Sequence, residues 1–136
     1  MTLQILLPPG WPVPKGYASG IAASGRIVVT AGVVGWDRDG RFAEGMTAQC
    51  AQVFQNIADI LAEGGAAPGD VVKLTWYITS RAAYLAEAKA IGAAYRAVFG
   101  RHYPAMAVVE VVSLMESAAM VEIEAMAVVA TDGGTV

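Results

Sequence analysis

Three features of the sequence predict an α+β fold in which two helices lie on one face of a mixed β-sheet. Some stretches alternate apolar and polar residues, others repeat apolar residues every three or four positions, and glycine or proline punctuates the boundaries between them. The 136 residues suit one ordinary domain, and 1–136 is read as a single unit.

Residues 3–7 are a short apolar run stopped by Pro8, Pro9 and Gly10. Residues 11–20 carry Pro12, Pro14, Gly16 and Gly20, which favour fixed turns over regular structure. Residues 26–34 read as a strand because Ile27, Val28, Val29, Val33 and Val34 are β-branched, and the strand runs into a loop at Gly35, Trp36, Asp37, Arg38, Asp39 and Gly40. Met46, Cys50, Val53, Phe54, Ile57, Ile60 and Leu61 predict a helix over 46–63 with one buried stripe, ended by Gly64 and Gly65. Residues 70–79 alternate, with Val72, Leu74, Trp76 and Ile78 on one face and Lys73, Thr75 and Tyr77 on the other. A second helix follows, with Ser80 as its cap, Tyr84, Ala88, Ile91, Tyr95, Val98 and Phe99 on a common side, and Gly100 as its stop.

Residues 105–114 and 119–130 read as two long strands. Their short connection through Met115, Glu116, Ser117 and Ala118 suggests a hairpin, although it lacks an Asn-Gly or Asp-Gly turn. In the last strand Val121, Ile123, Ala125, Ala127 and Val129 face one side, while Met120, Glu122, Glu124, Met126 and Val128 face the other. In its predecessor Met106, Val108, Glu110, Val112 and Leu114 oppose Ala107, Val109, Val111 and Ser113, so neither side of the pair is mainly polar. Two helices cover one sheet face only. Packing of subunits through the helix-free face, with Val112 on the interface side, accounts for the remaining apolar rows.

Composition narrows the function. Apolar residues make up 56% of the chain, more than a core of this size readily holds, which again favours subunit contacts. Nine Lys and Arg against twelve Asp and Glu argue against nucleic-acid binding, which needs a concentrated basic surface. The single cysteine excludes an internal disulfide and fits a reducing compartment. Apolar segments are interrupted well short of a membrane span and the N-terminus carries no secretory pattern, so a cytoplasmic location is expected.

Several segments carry a family resemblance. They are Lys15-Gly16-Tyr17, Val29-Thr30-Ala31-Gly32, the helix from Gln49 to Asn56 and Ile57, residues 72–79, Tyr103-Pro104-Ala105, and Val121-Glu122-Ile123-Glu124-Ala125. In this order and spacing, over nearly the whole chain, the sequence resembles the YjgF/YER057c/UK114 family, the Rid family of reactive-intermediate deaminases. The resemblance implies a chorismate-mutase-like fold, a homotrimer, and clefts between adjacent subunits that take small carboxylate-bearing metabolites. It implies hydrolysis of enamines and imines with release of ammonia, without a cofactor or metal. In the usual family pattern an arginine that clamps the substrate carboxylate follows Pro-Ala; here that position is Met106, an unbranched, uncharged side chain. This form resembles members placed near 2-aminomuconate deaminases.

The resemblance assigns Glu122 as the catalytic carboxylate that orients or activates water, and Tyr17 and Gly32 as parts of the pocket. It also implies that the backbone of Met106, Ala107 and Val108 approaches the ligand. On spacing alone Glu122 reads as a strand carboxylate facing solvent or an interface hydrogen-bond partner, Gly32 as a close-packing residue, and Tyr17 as an interface aromatic. His102 reads as a surface residue at a helix end, Cys50 as core, and Trp36 and Arg38 as solvent-facing turn residues. Three readings remain open at this point: a hydrolytic deaminase built on Glu122, a non-catalytic metabolite-binding trimer in which Met106 marks the loss of the usual chemistry, and a purely structural trimer if Met106 and Val108 close the pocket.

Overall fold

The apolar stripes and alternating rows meet in one core in the computed structural model, which describes residues 3–131. Strands β1 (Leu3–Leu6) and β2 (Gly20–Ala23) form a two-stranded antiparallel ribbon. The main sheet holds β3 (Arg26–Val29), β4 (Val33–Val34), β5 (Val71–Ile78), β6 (Ala105–Glu110) and β7 (Val121–Val129). Its order is β3, β7, β5, β6, with β4 also paired to β7. Strand β7 is antiparallel to β3, β4 and β5, while β5 and β6 are parallel. Helices α1 (Met46–Glu63), α2 (Arg81–Ala86) and α3 (Ala88–Phe99) complete the fold.

Helix α1 follows its predicted bounds. Met46, Gln49, Cys50, Val53, Phe54, Ile57 and Leu61 are buried, while Ile60, assigned to the stripe from spacing, is largely exposed. The stripe packs on Leu74, Trp76 and Ile78 of β5 and on Val121, Ile123, Ala125 and Ala127 of β7. Phe54 lies at the centre, edge-on to Trp76, Tyr95 and Phe99 at centroid distances of 5.4, 5.5 and 5.9 Å.

The single helix expected from Ser80 to Gly100 is two helices. Ser80 caps α2 by accepting from the Ala83 amide at 3.0 Å, and Gly100, at φ 64°, ends α3. The break falls at Glu87, whose Oε1 accepts from the Thr47 amide at 3.2 Å and from the Thr47 hydroxyl at 2.5 Å. Helix α1 begins at Gly45 without a side-chain cap of its own, so this distant carboxylate satisfies one of its free amides and faces the positive end of its dipole.

Four strand expectations are corrected. The last two strands are not a hairpin: β5 lies between β6 and β7, and the intervening segment passes from one edge of β5 to the other. Strand β6 stops at Glu110, so Val112 is a fully exposed loop residue and not a strand residue. A register shift between Val71 and Lys73 buries Val71 and leaves Val72 half-buried, reversing the inward assignment of Val72. The strand read over 26–34 is also interrupted, with consequences described below.

Gln49 is the buried polar side chain of the core, and it is fully used. Its Nε2 donates to the Ala43 carbonyl at 3.1 Å and the Ala118 carbonyl at 2.9 Å, while its Oε1 accepts from the Met120 amide at 2.7 Å. The side chain ties α1 to the segment that leads into β7. Replacement by leucine removes three hydrogen bonds to part-buried backbone groups; Gln49→Leu is expected to lower stability by about 1–3 kcal/mol in urea unfolding at fixed protein concentration.

Candidate functional site

The candidate residues fall on two faces of the sheet. Directly paired residues point the same way, so the register fixes their sides. Tyr77 pairs with Glu122 and with Val109, and Thr75 pairs with Glu124 and with Ala107. These residues lie on the helix-free face. Leu74 pairs with Met106 and with Ala125, and Met106 packs against the core on the helix side. Glu122 and Met106, grouped in one pocket by the sequence, therefore point to opposite sides of the same sheet.

The Glu122 half is built by a bulge. Four residue steps separate Val29 from Val33, whereas three separate their β7 partners Met126 and Ile123. The extra residue interrupts pairing between β3 and β4. Thr30 covers the break: its amide donates to the Ala125 carbonyl at 2.9 Å, and its hydroxyl oxygen accepts from the Ala125 amide at 3.0 Å. Gly32 then crosses Glu122 so closely that a Cβ at Gly32 would lie 2.1 Å from Glu122 Oε2 and 2.7 Å from its Cδ. Only a residue without a side chain leaves the carboxylate in this place. Asn56 of α1 fixes the following segment by donating to the Val34 carbonyl at 3.0 Å and the Trp36 carbonyl at 2.8 Å.

Beside Glu122, the Tyr77 hydroxyl donates to Glu124 Oε1 at 3.0 Å. This bond to a carboxylate, together with burial and the Glu124 and Glu122 charges, holds the Tyr77 phenol above its ordinary value of 10.0. A hollow of about 260 Å³ adjoins it, lined by Val29, Thr30, Lys73, Thr75, Glu124 and Met126. Ile27 and Val29 are 65% and 59% exposed, and their partners Val128 and Met126 lie on the same face.

The Met106 half lies on the helix side, at a cavity of about 400 Å³ between α3, β5 and the start of β6. The segment before β2 reaches it because the Ala18 amide donates to the Pro104 carbonyl at 3.1 Å and Ala18 bridges Ala105. Lys15 and Gly16 thereby join Met106, Trp76, Tyr95 and Arg96 in the cavity wall. Tyr17 is on the same segment, but its side chain is 46% exposed and does not line the cavity. Val108 belongs to a smaller neighbouring recess with Tyr84, Leu85 and Glu110.

Other candidates resolve simply. Cys50 is buried, and burial with the nearby Glu87 charge pushes its thiol up to about 12, which is incompatible with a nucleophilic thiolate near neutrality. His102 is half-buried and not a free surface residue: its Nε2 lies 2.6 Å from the Val71 carbonyl, and its own carbonyl accepts from the Tyr95 hydroxyl at 2.6 Å. Trp36 and Arg38 lie in a loop that Asp37 organises by accepting from the Asp39 and Arg41 amides at 2.8 and 3.0 Å. Among the described residues, no group of three or more His, Cys, Asp and Glu is arranged to hold a metal ion.

Sequence reasoning passed over the structural work of Gln49, Asn56 and Glu87, and the presence of Lys15 and Arg96 on one cavity. For Gln49 and Asn56 a signal was available, since both lie three or four residues from the buried Val53 and at the edge of an otherwise apolar stripe.

A mixed sheet with a glycine bulge beneath a strand carboxylate defines an α+β protein with a candidate ligand site on its β-strands. Residues 12–129 match the model of the endoribonuclease L-PSP family, and the chain belongs to this family, the YjgF/YER057c/UK114 or Rid family. It is 34% identical over 116 residues to the 2-iminobutanoate/2-iminopropanoate deaminase of Salmonella typhimurium, covering 82% of this chain and 86% of that protein. A conserved Rid-family protein of unknown function from Yersinia pestis has a TM-score of 0.82 at 32% identity, with 95% of this chain and 100% of that one covered. The YjgF gene product of E. coli gives a TM-score of 0.66 at 30% identity over 86% of this chain and 91% of that one.

The Tyr77–Glu124 bond has a testable electrostatic consequence. Its folded-state pKa is raised, so its contribution to stability is fully present below pH 10 and is lost as pH rises through the folded value. Glu124→Gln removes the charge and should move the Tyr77 titration down toward the ordinary range. Ultraviolet difference titration against a Tyr77→Phe control resolves this transition.

Proposed function

We propose that the chain is a cofactor-independent hydrolytic deaminase of a small enamine or imine carboxylate, acting as a homotrimer with its sites between subunits. The observation that carries this reading is the Glu122 carboxylate lying against Gly32 on the helix-free face. The 34% identity to an iminobutanoate and iminopropanoate deaminase supports the same chemistry. A 2-aminomuconate-like diacid is the finer substrate assignment, and it rests on the Pro104-Ala105-Met106 sequence.

The reaction follows from the groups present. An enamine first tautomerises to its imine, whose C=N carbon is the electrophile. Glu122 accepts a proton from water as the water oxygen bonds to that carbon, giving a carbinolamine. That proton passes to nitrogen; the hydroxyl proton of the carbinolamine then moves through Glu122 to the same nitrogen as the C–O bond becomes C=O and the C–N bond breaks, releasing ammonia. Tyr17, Gly32 and the backbone of Met106, Ala107 and Val108 are assigned to holding the substrate. RNA cleavage, the activity in the family model's description, fits less well: nine cationic against twelve acidic residues offer little to a phosphate backbone, and Glu122 and Glu124 would repel it.

The split across the sheet supports the oligomer. Glu122 and Met106 cannot share a pocket within one chain, but the Glu122 side of one subunit and the Met106 edge of another can form one cleft. Ile27, Val29, Val109 and Met126 on the helix-free face supply apolar contact. Each contributes roughly 1–2 kcal/mol of gross stabilisation when its exposed part is covered, before the cost of association. A chorismate-mutase-like arrangement of three copies is the form the family resemblance implies.

Two measurements test this reading. Ammonia release from freshly generated 2-aminoacrylate, 2-iminobutanoate and 2-aminomuconate should fall by about 100-fold or more in Glu122→Gln. Unchanged rates would remove Glu122 from the chemistry, and retained metabolite without turnover would favour the binding-trimer alternative that Met106 suggests. Light scattering should give about three times the 14.1 kDa chain mass, and Ile27→Glu should shift it toward the monomer.

A further inference from the structure

The helix-side cavity has a charge character that the Glu122 chemistry does not use. Its wall contains two cations, Lys15 and Arg96, and no carboxylate, in a chain whose formal net charge is -3. Local positive charge against the overall sign favours an anion. Gly92 shapes the α3 side: a Cβ there would lie 3.3 Å from Arg96 Nη1, so its absence leaves room for the guanidinium one helical turn away.

Trp76, Tyr84, Tyr95 and Tyr103 add aromatic surface to the wall. Trp76 packs edge-on to Tyr84 at 5.9 Å, and Tyr95 stacks on Tyr103 at 5.5 Å. Trp76 is only 3% exposed, and its Nε1 is the buried side-chain polar atom without a hydrogen-bond partner among the described residues. That atom is closed to solvent, so Trp76 lines the cavity through other atoms of its side chain. Met106 adds a polarisable thioether in place of a further charge.

We propose that this cavity binds a planar conjugated carboxylate, with Arg96 and Lys15 meeting its charge and the aromatic wall holding its π-system. Arg96 is the bidentate partner and Lys15 supplies the second positive charge. The aromatic walls favour an extended flat ligand over a flexible saturated chain of equal length, which loses more rotamer freedom when bound. This assignment deepens the deaminase reading and depends on it for biological meaning, because it places the recognition charge on Lys15 and Arg96 with Met106 beside them.

Sorbate, a flat six-carbon acid with no nitrogen to lose, tests binding without turnover. Calorimetry should show saturable sorbate binding to the wild-type protein. Hexanoate, 2,4-hexadien-1-ol and the Lys15→Ala/Arg96→Ala variant should each bind about tenfold more weakly or worse. One tryptophan indole N–H resonance should move on sorbate addition, as expected for a ligand against Trp76 in the cavity wall and not for simple surface attraction. Both substituted residues are exposed, so circular dichroism should be unchanged, and added salt should weaken sorbate binding to the wild type as an independent readout. Equal sorbate affinity in wild type and double variant, equal affinity for hexanoate or the alcohol, or no saturable binding overturns the proposal. Absent sorbate binding alongside normal Glu122-dependent ammonia release rejects the cavity assignment alone; intact sorbate binding without ammonia release rejects the deaminase reading alone.

Discussion

Strand β7 is the constraint on which the rest of the molecule depends. It pairs with β3, β4 and β5, and its alternating side chains serve two separate purposes. Val121, Ile123, Ala125 and Ala127 are buried beneath the helices, where their loss of water contact holds α1 on the sheet. Glu122, Glu124 and Met126 necessarily point the other way. A one-residue slip would bury the two carboxylates and expose the apolar row, so packing fixes the direction of the candidate catalytic group. Gln49 secures the register from the helix side by binding Ala118 and Met120 just before the strand starts.

That arrangement explains why parts of the fold were legible and others were not. Helix α1 carries one stripe between Gly45 and Gly64, and local periodicity located it without tertiary information. The alternation of β5 was equally visible from Leu74 to Ile78, but the shift near Val71 depends on pairing with β7 and left no local mark. The false hairpin arose because β6 and β7 are neighbours in sequence, whereas both obtain their pairing from β5, contributed by residues 71–78. Its missing turn motif was a real warning. The break at Glu87 was hidden for a similar reason, since the carboxylate is drawn to an α1 terminus forty residues away.

The candidate site was only partly readable for the same physical reason. Glu122 and Gly32 could be named from the family pattern, but their contact requires the bulge between β3 and β4, which β-branched residues on both sides disguised as one strand. In the sequence Met106 reads as a side-chain change in a cleft between subunits that also holds Glu122. Its position opposite Leu74 shows that the change acts on the helix-side cavity within its own subunit. Lys15 and Arg96 were unremarkable as isolated cations, and only the Ala18–Pro104 hydrogen bond and α3 bring them to one wall.

The two carboxylates of β7 also have different chemical environments despite facing the same way. Tyr77 donates its hydroxyl to Glu124, tying that carboxylate to β5 and stabilising its charge. Glu122 instead occupies the space created by Gly32, beside the edge where β4 departs from β3. A group that must accept and return a proton benefits from access to its substrate, while a neighbouring fixed charge benefits from a permanent donor. The bulge and the phenol therefore divide two chemically identical side chains into a candidate base fitted against Gly32 and an electrostatic neighbour anchored by Tyr77, and it is backbone geometry, not residue type, that makes the distinction.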